Sequence, residues 1–231
     1  MRSIIAIFIK QAKDILKNFS VLIQFALFPV VTLVMTRLVA APDEYMPNNM
    51  FVVMMAPVFA GMGLVSSMSA IISEDFETKS LRLLAMAGVK PHEYLIGVGG
   101  FILFAGTITS VVFALIGDFT AIEFAQFVAI MVAGVTASII LGATIGILAS
   151  NRQSAAGLAL PIALVLGFAP MIAQFHDGVR RVAVIFHTYQ MTAIIGDGDA
   201  DIRRALVIVG INILVMTGLF AVVYKKKGFR G

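Results

Sequence analysis

The sequence predicts an all-α integral membrane protein with six transmembrane helices. Of the 231 residues, 60% are hydrophobic and 13% are charged, whereas soluble domains are roughly 45–50% apolar and about 25% charged. The apolar residues also form six continuous runs, each near the ~20 residues that a helix needs to cross the hydrocarbon core. The runs do not alternate with period two, so they favour helices over a barrel. They cover residues 19–41, 50–72, 95–117, 124–150, 155–175 and 205–224.

Residues 1–18 predict an amphipathic helix that lies in the membrane interface with its lysines toward headgroups. A plain N-terminal helix on the cytoplasmic side is the alternative. We expect no cleaved signal peptide, because no short apolar run is followed by a small-residue cleavage site. The apolar face holds Ile4, Phe8, Ala12, Ile15, Leu16 and Phe19, and the polar face holds Lys10, Lys13, Asp14 and Lys17.

Lys and Arg residues predict the orientation. If the N-terminus is cytoplasmic, twelve of the 17 Lys and Arg residues fall on the cytoplasmic side and five on the other. This asymmetry is the positive-inside pattern, so we expect both termini in the cytoplasm. The basic residues are therefore distributed by membrane side, and the net charge of +4 does not indicate nucleic-acid binding.

The charged segment between the second and third runs, residues 73–94, predicts a short cytoplasmic amphipathic helix. Glu74, Asp75 and Glu77 are expected in its first turn, where carboxylates suit the helix dipole. Gly88 and Pro91 are expected to stop it. Its apolar stripe can press on a partner protein or on lipid headgroups, and the residues alone leave both open. The stripe consists of Leu81, Leu84, Ala85 and Gly88.

Residues 176–204 predict a re-entrant piece on the outer face, because their apolar stretch, residues 182–195, is too short to span. The acidic run 197–201 lacks the glycine and glutamate of a calcium loop, so we expect a solvated turn. We expect His176 and His187 to be structural or solvated.

The fourth run carries a small residue at every fourth position, which predicts one ridge for close helix packing within or between subunits. A substrate-facing groove is the less favoured interpretation. In the fifth run, Pro161, Gly167 and Pro170 are expected to kink the helix. The ridge consists of Gly134, Ser138, Gly142 and Gly146.

The sequence indicates no catalysis, cofactor or metal. It has no cysteine and no Gly-Lys pair, so the usual phosphate loop is missing. The predicted spans contain one charged residue, Arg37 near the end of the first, with Gln24 and Asn212 as uncharged polar residues. Transporters driven by protons usually keep acids, bases or histidines there, so the energy for any transport is expected to come from elsewhere.

Two stretches resemble the permease subunits of type 2, export-type ATP-binding cassette transporters. Residues 77–84, Glu-Thr-Lys-Ser-Leu-Arg-Leu-Leu, with Pro91 downstream, resemble the family's E-x-G-T-L-x-x-L coupling helix. Lys79 stands where glycine is frequent, Ser80 where threonine is frequent, and residues 87–88 where a proline is common. Residues 186–189, Phe-His-Thr-Tyr, are similar to the N-P-x-x-Y element without its Asn-Pro. The order of elements extends the resemblance over nearly the whole chain.

The resemblance implies a permease without its own nucleotide site, in the bacterial cytoplasmic membrane. It implies two separate ATPase subunits that hold ATP and Mg, and a second permease copy. Residues 74–94 would dock into the ATPase through Leu81, Leu84 and Ala85, with Glu77 and Arg82 as rim charges. A lipid, hydrophobic peptide, lipid-linked glycan or apolar drug would be exported. The alternative is a channel or scaffold subunit without an ATPase, whose residues 74–94 lie on headgroups.

Overall fold

A computed structural model describes residues 2–17, 19–41, 45–196 and 202–227. Every regular element in these ranges is helical. A π-helical segment, Thr36–Ala40, continues α2, and another, Phe59–Leu64, joins α3 to α4. The α-helices are α1 (Arg2–Lys17), α2 (Phe19–Met35), α3 (Met50–Val58), α4 (Val65–Glu77), α5 (Ser80–Met86), α6 (Pro91–Ile116), α7 (Ala121–Leu148), α8 (Arg152–Ala173), α9 (Asp177–Ala183), α10 (His187–Gly196) and α11 (Ile202–Lys227).

The prediction of six apolar helices long enough to cross a membrane is confirmed in the described part of the chain. The second of them continues to Glu77, beyond the end expected at residue 72, because nothing in residues 73–77 breaks a helix. The six are Val21–Ala40, Met50–Glu77, His92–Ile116, Ala121–Leu148, Arg152–Ala173 and Ile202–Lys226.

The centre of the fold is α7, which packs against α4, α6, α10 and α11. Its small-residue ridge faces inward. A Cβ added at Gly142 would lie 2.7 Å from the Val65 carbonyl oxygen, and one at Gly146 would lie 2.6 Å from Ile72 Cβ. The backbones of α4 and α7 therefore approach too closely for larger side chains at these positions.

The π-helical segment in the second span contacts α8 just as closely. A Cβ at Gly61 would lie 2.9 Å from the carbonyl carbon of Leu166. Phe59, in the same segment, is fully buried, and its ring centroid lies 5.8 Å from those of both Phe25 and Phe113. The segment thus joins the first, second, third and fifth spans.

Helix α1 packs along the beginning of α6. The Phe8 ring centroid lies 5.3 Å from that of Phe101, and a Cβ at Gly97 would meet Ile7 Cγ2 at 2.7 Å. Part of the predicted apolar face of α1 therefore contacts protein, while Leu16 remains exposed.

The predicted re-entrant stretch is two helices rather than one piece. Helix α9 packs on α8, and α10 packs against α3, α7, α8 and α11. Between them, the Val184 carbonyl oxygen accepts a 2.5 Å hydrogen bond from Gln190 Nε2, and that of Ile185 accepts a 2.8 Å bond from Asn212 Nδ2. Side chains thus satisfy carbonyl groups at the break. The acidic run 197–201 lies outside the described residues.

We predict that Gly142→Ala destabilises the protein by about 1–3 kcal/mol, because the nearest obstacle is a backbone oxygen that cannot rotate away. The measurement is thermal unfolding in detergent. Gly210→Ala is the control, since nothing lies within 4 Å of its added Cβ and alanine favours a helix over glycine by about 1 kcal/mol. Equal melting temperatures for the two variants would contradict close packing of α7 on α4.

Candidate functional site

The segment that follows the second span departs from the single helix expected over residues 73–94. Glu74, Asp75 and Glu77 lie in the last turn of α4, so their predicted place in the first turn of a new helix is wrong. The chain breaks at Lys79, whose φ of 57° is left-handed. This conformation favours glycine, which has no Cβ.

Helix α5 ends where the sequence predicts. It stops at Met86, Gly88 adopts a φ of 80°, and Pro91 begins α6. Glycine in the left-handed region and proline at the first helical position are the usual stop and start residues. The segment is therefore a seven-residue helix between two turns.

The last turn of α4 is tied on one side to α6 and α1. The Tyr94 hydroxyl donates a 2.5 Å hydrogen bond to Asp75 Oδ2, and Lys10 Nζ lies 3.6 Å from Asp75 Oδ1. Both Asp75 and Tyr94 are buried. A buried carboxylate is stable only when its oxygens have such partners, so these contacts fix three helices relative to one another.

The same turn is tied on its other side to α8. The backbone N–H of Arg152 donates a 3.0 Å hydrogen bond to Glu77 Oε2, and Arg152 Nη1 lies 3.3 Å from Glu74 Oε2. Arg152 is the first residue of α8, where a carboxylate also suits the helix dipole. We call the residues of these two ties the junction cluster: Lys10, Glu74, Asp75, Glu77, Tyr94 and Arg152.

Two residues of the predicted docking stripe, Leu81 and Leu84, face their own protein. Leu81 is only 7% exposed within the hydrophobic core, and Leu84 packs against that core. Leu81 is therefore largely covered by its own chain, and its role in docking stays a prediction. The description of Ala85 does not extend to its side chain.

The opposite face of α5 is the free one. Leu83 is 63% exposed and Met86 is 71% exposed, three residues apart on one face. Arg82 is exposed beside them. Helical periodicity predicted that the stripe residues share a face, but it could not show whether that face meets the protein or a partner. Gly88 lies beyond the end of α5 and is exposed, so it does not belong to the face of Leu81. Glu77, the other predicted rim charge, is exposed and binds the start of α8.

The ridge residues of α7 all contact elements of the same chain. A Cβ at Gly134 would overlap Met191 of α10, and Ser138 Oγ lies 2.9 Å from His187 Nε2. His187 is fully buried, and burial lowers the pKa of its imidazole to about 4. The ring is therefore neutral at pH 7 and packs within the fold. Of the two roles expected for His187, structural or solvated, the solvated one does not match this burial. The other expectation, a structural role, matches its packing.

His176 has a local role, because its Nδ1 accepts a 3.1 Å hydrogen bond from the Gly178 N–H at the start of α9. Among the described residues, no group of three His, Asp or Glu side chains is placed to hold a metal ion.

Thr188 is a structural residue that sequence reasoning missed. Pro170 has no N–H, so the Leu166 carbonyl lacks its usual helical donor. The Thr188 hydroxyl donates a 2.6 Å hydrogen bond to that oxygen. The sequence showed Pro170 as a helix breaker. Thr188 lies 22 residues from Leu166, and no local sequence pattern indicates that its hydroxyl binds this carbonyl.

Comparison with known proteins found neither a matching family model nor a matching curated protein. The geometry of the junction cluster and of α5 is therefore what supports a function.

We predict that Thr188→Val costs about 1–3 kcal/mol of stability, because it leaves a buried carbonyl without a donor. Thermal unfolding measures the change, and Thr188→Ser, which keeps the hydroxyl, is the control. In a Pro170→Ala background the new alanine N–H can bond Leu166, so the cost of Thr188→Val should fall below about 1 kcal/mol. An equal cost in both backgrounds would show that Thr188 does not serve this carbonyl.

Proposed function

We propose that this chain is the membrane subunit of an export-type ATP-binding cassette transporter. The observation that carries the proposal is helix α5, which leaves the end of a long apolar helix and exposes Leu83 and Met86. Large exposed apolar residues on a helix between two spans suit a protein partner, and the junction cluster lies directly at the start of this helix. The resemblance of residues 77–84 to a coupling helix adds to this argument.

In this mechanism, closure of the ATPase subunits pushes on α5. Because only Thr78 and Lys79 separate α5 from α4, a displacement of α5 moves the last turn of α4. The bonds of Glu74 and Glu77 to Arg152 pass it to α8, and those of Asp75 to Tyr94 and Lys10 pass it to α6 and α1. Packed elements with fixed contacts move together, so the spans reorient and open an outward path.

Helix α1 lies at the membrane interface, and both termini lie in the cytoplasm, as the distribution of Lys and Arg indicates. Helices α9 and α10 form a re-entrant region on the outer side. The side-chain hydrogen bonds at their break support this, since irregular backbone at membrane depth must be satisfied by protein.

The complex would contain two copies of this chain and two ATPase subunits, which hold ATP and Mg. This chain itself would not hydrolyse ATP. The proposed location is the cytoplasmic membrane of a bacterium. An interior with few charges suits a lipid, a hydrophobic peptide, a lipid-linked glycan or an apolar drug as the exported substrate.

We predict that Leu83→Asp combined with Met86→Asp abolishes co-purification of an ATPase, because charge in the docking face would be buried without a partner. The measurement is a mild-detergent pull-down from the native host followed by mass spectrometry. Wild type should retain a stoichiometric soluble protein with a phosphate loop, and the double variant should lose at least about 90% of it.

Ile122→Asp is the matched control, since Ile122 is 74% exposed at the other end of the bundle, in α7. It should leave the ATPase bound. Recovery of the wild-type chain without any such ATPase would contradict the proposal and favour a channel or scaffold subunit whose α5 lies on headgroups.

A further inference from the structure

A surface cavity of about 540 Å³ lies between α1, the start of α2, the end of α4 and the start of α5. This volume falls within the range of small-molecule sites, about 300–1,000 Å³. The first span begins at Val21 and the second ends at Glu77, and the lining includes Val21 and Thr78. The cavity therefore lies where the spans leave the hydrocarbon core, at the level of lipid headgroups. This placement depends on the spans alone and not on any ATPase.

The lining of the cavity is divided by polarity. Its apolar part comes from Ile15 of α1 and from three residues at or next to the spans, Phe19, Val21 and Ile71. Its polar part comes from Lys10, Gln11, Asp14, Lys17, Glu74, Asp75, Thr78 and Ser80. A guest that satisfies both parts has a charged group joined to an apolar chain, which is the chemistry of a membrane lipid.

The charges of the lining select among headgroups. Glu74 is already paired with Arg152, which lies outside the lining. The remaining lining charges are two carboxylates and two lysines, a balance that suits a zwitterionic headgroup better than an anionic one. Lys10 is shared between Asp14 at 3.3 Å and Asp75 at 3.6 Å, while Lys17 is exposed at the end of α1. Lys17 can therefore take a phosphate, and the exposed Asp14 can take a cation.

The cation is better matched by a primary ammonium than by choline. An ammonium donates three hydrogen bonds, which suit carboxylate and amide oxygens. Gln11 is 4% exposed and lines the cavity, so its amide can serve as an acceptor. Choline has no N–H and is recognised by aromatic faces, of which Phe19 supplies one in the described lining.

We propose that this cavity binds the headgroup of phosphatidylethanolamine, with the ammonium on Asp14 and Gln11 and the phosphate on Lys17. The acyl chains extend along Phe19, Val21 and Ile71. Because the cavity touches both α1 and the base of α5, the bound lipid joins these two elements at the membrane surface.

The test is native mass spectrometry of the full-length protein in detergent, titrated with phosphatidylethanolamine, phosphatidylcholine and phosphatidylglycerol of identical acyl chains. The ethanolamine lipid should bind about tenfold more tightly than the choline lipid, the ratio that one charged hydrogen bond provides. Glycerophosphoethanolamine, which lacks acyl chains, should compete at least about tenfold less well, as lost apolar burial requires. Equal binding of the three lipids would overturn the proposal, and effective competition by the soluble headgroup would overturn a lipid as the occupant.

Two exposed positions locate the site without disturbing the core. Asp14→Asn should bring the ethanolamine lipid close to the affinity of the choline lipid, and Lys17→Gln should weaken both lipids. The matched controls are Asp177→Asn on α9 and Lys13→Gln on α1, which are exposed and lie outside the lining, and both should retain wild-type selectivity. Unchanged selectivity in Asp14→Asn, or the same loss in Asp177→Asn, would contradict binding in this cavity.

Discussion

The close contact between α7 and α4 is the constraint on which the rest of the structure depends. Neither Gly142 nor Gly146 has room for a Cβ against α4, so the two helices are held at one separation. Between helices in lipid the hydrophobic effect gives little attraction, and dense packing of this kind supplies much of the stability. With α4 fixed, the position of its last turn is fixed as well.

The side chains of that last turn hold α1, α6 and α8 in place relative to α4. Asp75 meets Tyr94 and Lys10, while Glu74 and Glu77 meet Arg152. The charges lie at the end of a span, where water and headgroups reduce the cost of ionised groups that the hydrocarbon core would impose. Leu81 packs into the core below this turn, and α5 is consequently held with Leu83 and Met86 outward.

The sequence predicted the parts of the fold that depend on composition and spacing. Six apolar runs became six long apolar helices, and the four-residue spacing of the ridge placed its members on one buried face of α7. Gly88 and Pro91 ended one helix and began the next, because each residue restricts the backbone by itself. Local chemistry was sufficient in these cases.

The parts that the sequence did not predict depend on contacts between distant residues. The direction of the Leu81 stripe follows from how α5 docks on the core, which a 3.6-residue period does not encode. Thr188 has its role because the fold places it next to the Leu166 carbonyl in α8, which Pro170 leaves without a helical donor. Glu74 and Glu77 lie in the part of α4 that extends beyond its apolar run, and their partner Arg152 is more than 70 residues away in the sequence.

The most direct test of this account is the position of α5 relative to α8. The chain has no cysteine, so Met86→Cys and Gln153→Cys can be spin-labelled without background, and pulsed electron paramagnetic resonance can measure their separation. The account predicts one narrow distance distribution that broadens when Asp75→Ala and Glu77→Ala remove the anchors of the junction cluster. A distribution that is already broad in the labelled parent, or that stays narrow without these anchors, would contradict the claim that the junction cluster holds α5.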